Sequence, residues 1–198
     1  MLFLLGNLAG PLHDAEPLAA VLRAVGESGL PTFLLPGPRD APVSMYLREA
    51  YNIERVFPNV HGVHGTFGFT PTYTLVAGMG GEIVGEAATP REEVGTLRYP
   101  AWEVEYRLRV LHQLRDYPKI FLFNTPPARH PGTPGRSHEL EELIATHRPR
   151  IVFVRGPQFE EWLVGTSKVV AVPSLGSGHG VWADLQELTA EPLVVPSA

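Results

Sequence analysis

Short apolar runs alternate with longer amphipathic stretches through most of this 198-residue chain, and that alternation constrains the fold more than any other feature. A run too short for a helix suits a strand buried on both faces. An amphipathic stretch between two such runs suits a helical crossover in a parallel sheet, so the class is α/β. Strands are expected at residues 2–5, 32–35, 120–123 and 151–154. Helices are expected at 16–26, where Leu18, Val21, Leu22 and Val25 form a 3.6-residue stripe, and at 43–51, 101–114 and 138–146. Pro100 suits the first turn of the third helix, and Ser137 followed by Glu139 and Glu141 marks the start of the fourth. Residues 60–64 and 74–77 read as a strand pair on a different sheet, and the Gly-rich stretch from Gly78 opens a long loop reaching Tyr99. Residues 169–172 and 181–185 read as a hairpin, and residues 191–198 as a tail after a single domain, 1–190.

With 44% apolar residues the chain can bury a substantial core. A formal charge of −5 and a pI near 5.9 leave no basic surface to make nucleic acid the main partner. Cysteine is absent, which removes disulfide and thiol chemistry and agrees with a cytoplasmic protein. The opening Met1-Leu2-Phe3-Leu4-Leu5 breaks at Gly6-Asn7, too soon for a signal peptide or a membrane span. No membrane partner is expected.

In α/β sheets ligands sit against the loops that leave the carboxyl ends of strands. Here those loops are Gly6-Asn7, Gly37-Pro38-Arg39-Asp40, Asn124-Thr125-Pro126-Pro127 and Gly156-Pro157-Gln158-Phe159. Their order over nearly the whole chain resembles that of the calcineurin-like metallophosphoesterases. That family runs Asp-x-His, Gly-Asp, Gly-Asn-His-Asp/Glu, a strand-end His and Gly-His-x-His.

Gly6-Asn7 falls at the Gly-Asp place, with Asn7 where the resemblance implies a metal-bridging Asp. Pro38 and Arg39 stand for the ligand Asn and the His that assists the leaving group, while Gly37 and Asp40 are kept. Asn124 replaces the strand-end His, and Pro157 and Phe159 fall where the last motif carries histidines. The stretch Val170 to Gly176 is similar to the family's closing Asn-Pro-Gly-Ser segment. The resemblance implies a four-layer α-β-β-α sandwich of two mixed sheets, here lacking the first strand, because the chain carries no Asp-x-His motif. Self-association or an upstream start is the expectation that follows from that gap.

A two-metal phosphoesterase needs anionic bridges and imidazole ligands to make hydroxide and hold phosphoryl oxygens. Asn7 and Asn124 are neutral, Pro38 has no donor atom and Arg39 adds positive charge. The ancestral reaction, metal-dependent phosphoester hydrolysis, is therefore expected to be weak or lost, as in a pseudoenzyme. Asp40 and Arg39 are the residues left for catalysis, with Asn7, Gly37, Asn124, Gly156 and Gln158 for ligand binding. Two further readings stay open: a metal-free module that binds a phosphate-like small molecule or a protein, and an active phosphoesterase with relocated ligands Asp40, His130 and His138. The cofactor is accordingly none, or a weakly bound Mn, Ca or Zn. Asp40 has an equally good reading as the cap of the helix starting near Pro42. Gly78, Gly80 and Gly81 miss the dinucleotide fingerprint because Ile83 holds its third glycine position, and no Gly-x-Ser-x-Gly elbow surrounds Ser174 or Ser177.

Overall fold

The computed structural model describes residues 1–9, 14–84, 95–127 and 137–194. Two sheets face each other. The first is parallel, β1 (Leu2–Leu4), β2 (Thr32–Leu34) and β3 (Val60–Gly62) in that order, with Phe3 opposite Phe33 and Phe33 opposite His61. The second has six strands in the order β10 (Glu160–Val164), β11 (Ser167–Val172), β9 (Ile151–Arg155), β8 (Lys119–Phe123), β5 (Leu75–Met79), β4 (Thr66–Phe69). Its four inner strands are parallel, and the two outer ones join through antiparallel hairpins.

The period of two along each strand divides the apolar residues between layers. Ile120 and Leu122 of β8, Ile151 and Phe153 of β9 and Val76 of β5 meet Phe33, Leu35 and Val63 between the sheets. Their neighbours Phe121, Phe123, Val152, Val154, Ala77 and Met79 point the other way. There they meet α3 (Ala101–Leu108) through Val104 and Leu108, and α4 (His138–His147) through Leu140, Leu143 and Ile144. On the far side of the first sheet, Leu34 and Val60 are covered by Leu18 and Leu22 of α1 (Ala15–Glu27) and by Tyr46 and Ala50 of α2 (Val43–Val56). The layers run α-β-β-α, as the resemblance implied.

Several local expectations are corrected. The first sheet is parallel throughout rather than mixed. Residues 60–64 do not pair with 74–77: β3 joins the first sheet, and β5 takes β4 as its hairpin partner. Helix α2 continues to Val56 because Tyr46, Ala50 and Ile53 prolong its apolar stripe. The third helix tightens into a 3-10 turn, Arg109–His112. The stretch assigned to the tail supplies β13 (Thr189–Val194), which pairs with β12 (His179–Asp184), so β11 and β12 form no hairpin with each other. Within the long loop before Tyr99, β6 (Glu82–Val84) pairs with β7 (Arg98–Pro100). None of the helices among the described residues is long and apolar enough to cross a membrane.

Candidate ligand-binding site

Parallel register brings the carboxyl ends of β5, β8 and β9 to one edge, with Met79 beside Phe123 and Phe123 beside Val154. The exits of β1 and β2 are likewise level, Leu4 beside Leu34. A cleft of about 490 Å³ runs between these edges, lined by Pro38, Gly81, Asn124, Arg155, Pro157 and Ser174 among others.

On the first sheet, Gly6 (φ 79°) and Asn7 (φ 59°) turn the chain sharply after β1. A Cβ on Gly6 would collide with the backbone nitrogen of Gly37, so only glycine permits this approach. The turn aims the Asn7 Oδ1 at the Arg39 N–H, which donates to it at 3.0 Å. Asp40 ends the 3-10 turn Pro38–Asp40 and is fully buried. Its Oδ1 accepts the Ala9 N–H at 2.6 Å and its Oδ2 the Gly37 N–H at 2.9 Å. Burial pushes the Asp40 carboxyl above its ordinary value, opposed by hydrogen bonds from the amides of Ala9, Gly37, Asn7 and Leu8. Asp40 does not cap α2, whose N-cap is Pro42.

On the second sheet, Asn124 leaves β8 with both ends of its amide engaged. Its Oδ1 accepts the Gly81 N–H and its Nδ2 donates to the Leu5 carbonyl on the first sheet. Thr125 Oγ1 accepts the Ile83 N–H at 2.8 Å. Gly80 donates its N–H to His64 Nδ1 at 3.0 Å, which fixes the proton of His64 on Nε2, facing Tyr99 Oη at 3.1 Å. Burial, with the Arg107 charge, lowers the His64 pKa to about 3, so the ring is neutral.

Of the residues expected at the site, Asn7, Gly37, Arg39 and Asp40 share one hydrogen-bonded corner, and Asn124 joins it through Leu5. Gly156 lines the cleft and donates to Val172 O at 3.0 Å. Gln158 is exposed and bonded to Glu160, and Phe159 turns into the inter-sheet core. His138 is exposed on the first turn of α4, 4.0 Å from Glu141 of the same helix. His130 lies outside the described residues.

Sequence reasoning passed over Arg155, which ends β9 and lines the cleft; an Arg closing an apolar strand-end run was the available signal. Partial burial and the nearby charge of Arg39 lower its pKa. His64 and Thr125, which hold the loop around Gly81, were also missed as parts of the site.

The donor set of the described residues does not fit a two-metal centre. Among the described residues no group of three His, Asp or Glu side chains is arranged to hold a metal ion. The one carboxylate in the corner, Asp40, is turned onto backbone amides. The cleft is lined by the Arg155 guanidinium, side-chain hydroxyls, the Asn124 amide and one carboxylate, Glu82, which Arg98 engages; a guanidinium at its edge suits an anion.

A family profile described as metallophosphoesterase, calcineurin superfamily, matches residues 12–192. The structure is similar to that of TT1561 of Thermus thermophilus, at 42% identity and a TM-score of 0.88, over 98% of this chain and 85% of that one. A second solved structure matches at 30% identity and a TM-score of 0.81, over 92% of this chain and 72% of the other. Comparison with curated proteins gives no match. Strand-end motifs, layer order and these likenesses agree, and the chain belongs to the metallophosphoesterases of the calcineurin superfamily.

Proposed function

We propose that this chain is a metallophosphoesterase-family protein whose metal-dependent phosphoester hydrolysis is weak or lost, and whose cleft binds a phosphate-like anion without a metal. One observation carries the reading: the side-chain oxygens of Asn7 and Asn124, at the family's ligand positions, and of Asp40 in the same corner all accept backbone N–H groups of this same chain. A neutral amide so engaged makes a poor bridge between two cations. Arg39 and Arg155 supply the opposite charge to the one a metal would want around it.

The test is elemental analysis of the purified protein, followed by hydrolysis of an aryl phosphodiester with Mn²⁺, Ca²⁺ or Zn²⁺ added back. Substoichiometric metal and turnover near background are expected. Stoichiometric metal together with metal-dependent turnover would overturn the reading.

A further inference from the structure

Where the second sheet packs against its helices, a separate cavity of about 250 Å³ lies between α3 and α4, lined by Val104, Glu105, His112, Glu142, Leu143 and His147 among others. Its two histidines come from different segments. His112 ends the 3-10 turn that follows α3, and His147 is the last residue of α4, shortly before the chain enters β9. They sit near the amino ends of the strands, at the edge of the sheet opposite the cleft.

The two rings lie 4.8 Å apart between centres, with their planes at 54°. Imidazoles that ligate one cation at about 2.0–2.1 Å in a tetrahedral shell hold their centres about 5 Å apart, so this pair already has the spacing of two ligands. Among the described residues neither ring makes a hydrogen bond or an ion pair. His112 is exposed and His147 half-buried, which leaves the pair open to solvent. Phe121 meets the His147 ring in a T-shaped contact at 6.1 Å and limits its freedom.

The surrounding charge also admits a cation. Burial, with His112, Lys119 and Arg115, lowers the His147 pKa to about 4, so its imidazole is neutral and has a lone pair to give. Lys119 directs its ammonium to the carbonyls of Arg115 and Tyr117, both at 2.9 Å. Glu105, Glu139 and Glu142 line the same cavity, and none of the three forms an ion pair among the described residues. These carboxylates outnumber the two basic side chains that reach His147.

We propose that His112 and His147 bind one borderline divalent cation, represented by zinc, with water completing its shell. Imidazole suits Zn, Ni and Cu, whereas Mg and Ca prefer oxygen ligands. No third His, Asp or Glu among the described residues is arranged to join the pair, so the site is exchangeable, loaded by added metal and stripped by a chelator. The cation clips the end of α4 to the turn after α3. Its place at the far edge of the sheet keeps it apart from the corner around Asp40, and the proposal stands independently of the metal-free reading of the cleft.

The experiment is isothermal titration of the chelator-stripped full chain with Zn²⁺ and, separately, with Mg²⁺. One Zn²⁺ per chain is expected, with Mg²⁺ weaker by about a hundredfold or more. His112→Gln and His147→Gln are each expected to weaken Zn²⁺ binding by about tenfold or more, no less than the loss of a supporting contact costs a metal site. His138→Gln removes an exposed histidine from the other end of α4 and should leave affinity unchanged. Electron paramagnetic resonance of the Cu²⁺-loaded protein gives a readout that a merely structural role would not move: two imidazole nitrogens in wild type, one in either variant. Circular dichroism checks that each variant is folded, and if His147→Gln is not, His112→Gln on the exposed ring decides. Absence of Zn²⁺ binding, affinity that survives both substitutions, or Mg²⁺ bound as tightly as Zn²⁺ overturns the proposal.

Discussion

Asp40 Oδ1 accepts the Ala9 N–H at 2.6 Å across 31 residues of sequence, tying the chain that leaves β1 to the turn that leaves β2. With Gly37 on its other oxygen, Asp40 serves as a staple between two strand ends.

Replacing Asp40 by Asn tests that role. An amide offers one oxygen, so one of the two N–H donors would face an NH2 group. A loss of about 1–3 kcal/mol in urea unfolding is expected, the usual cost of leaving a buried donor unpaired. Arg39→Gln, one residue away but outside the buried core, should fall within about 0.5 kcal/mol of wild type. An Asp40→Asn protein as stable as wild type would show that the staple carries no weight.

Gly6 and Gly29 both have positive φ, 79° and 69°, but only Gly6 has backbone against it. Gly29→Ala should cost about 1 kcal/mol from conformation alone. Gly6→Ala must also push the Gly37 backbone away, and is expected to cost about 3 kcal/mol or more or to prevent folding. Thermal unfolding of the two variants side by side reads the difference, and equal losses would refute the close approach.

Acid should weaken the fold through its histidines. His64 is held at a pKa of about 3 and His147 at about 4, both chiefly by burial, against an ordinary 6.5. Below 6.5 the unfolded chain takes up protons that the folded chain refuses, so stability is full above that value and falls as pH drops toward 4 and then 3. The slope is at most about 1.4 kcal/mol per pH unit for each group. Asp40, with its raised pKa, acts in the opposite sense, favouring the folded state as pH falls toward 3.8. His64→Gln keeps an acceptor for Gly80 and should flatten the profile measured by urea unfolding between about pH 7 and about pH 4. An unchanged slope would exclude His64 as its source.

Chelation provides a fourth check. A fold that draws no energy from bound metal should keep its thermal midpoint within about 1 °C after exhaustive EDTA treatment. A larger fall, restored by one divalent ion, would identify a metal that the corner around Asp40 does not explain.

How much of this the sequence disclosed depends on the range of each interaction. Helices α1 and α4 and strands β8 and β9 announce themselves through local period and caps: Ser137 Oγ indeed accepts the Leu140 N–H, and Ile120 and Phe121 face opposite layers. Strand β10 stayed hidden because Glu160 and Glu161 make an edge strand look like a loop, although Trp162 and Val164 alternate inward. Strand β13 stayed hidden because Pro192 and the exposed Leu193 and Val194 resemble a loose end. At the site, motif order located Asn7, Arg39, Asp40 and Asn124. Their partners are backbone amides, which carry no residue-type signature, and Ala9 lies 31 residues from Asp40 and Gly81 43 from Asn124.

The Asn124 side chain, bonded at one end to Gly81 and at the other to Leu5, has a kinetic meaning as well. With Gly81 N–H also donating to the Pro36 carbonyl at 2.9 Å, it works as a seam that sews one sheet to the other beneath the cleft. A floor sewn in this way holds the two strand edges at a fixed separation, so motion on the nanosecond clock is left to exposed side chains at the rim such as Arg155.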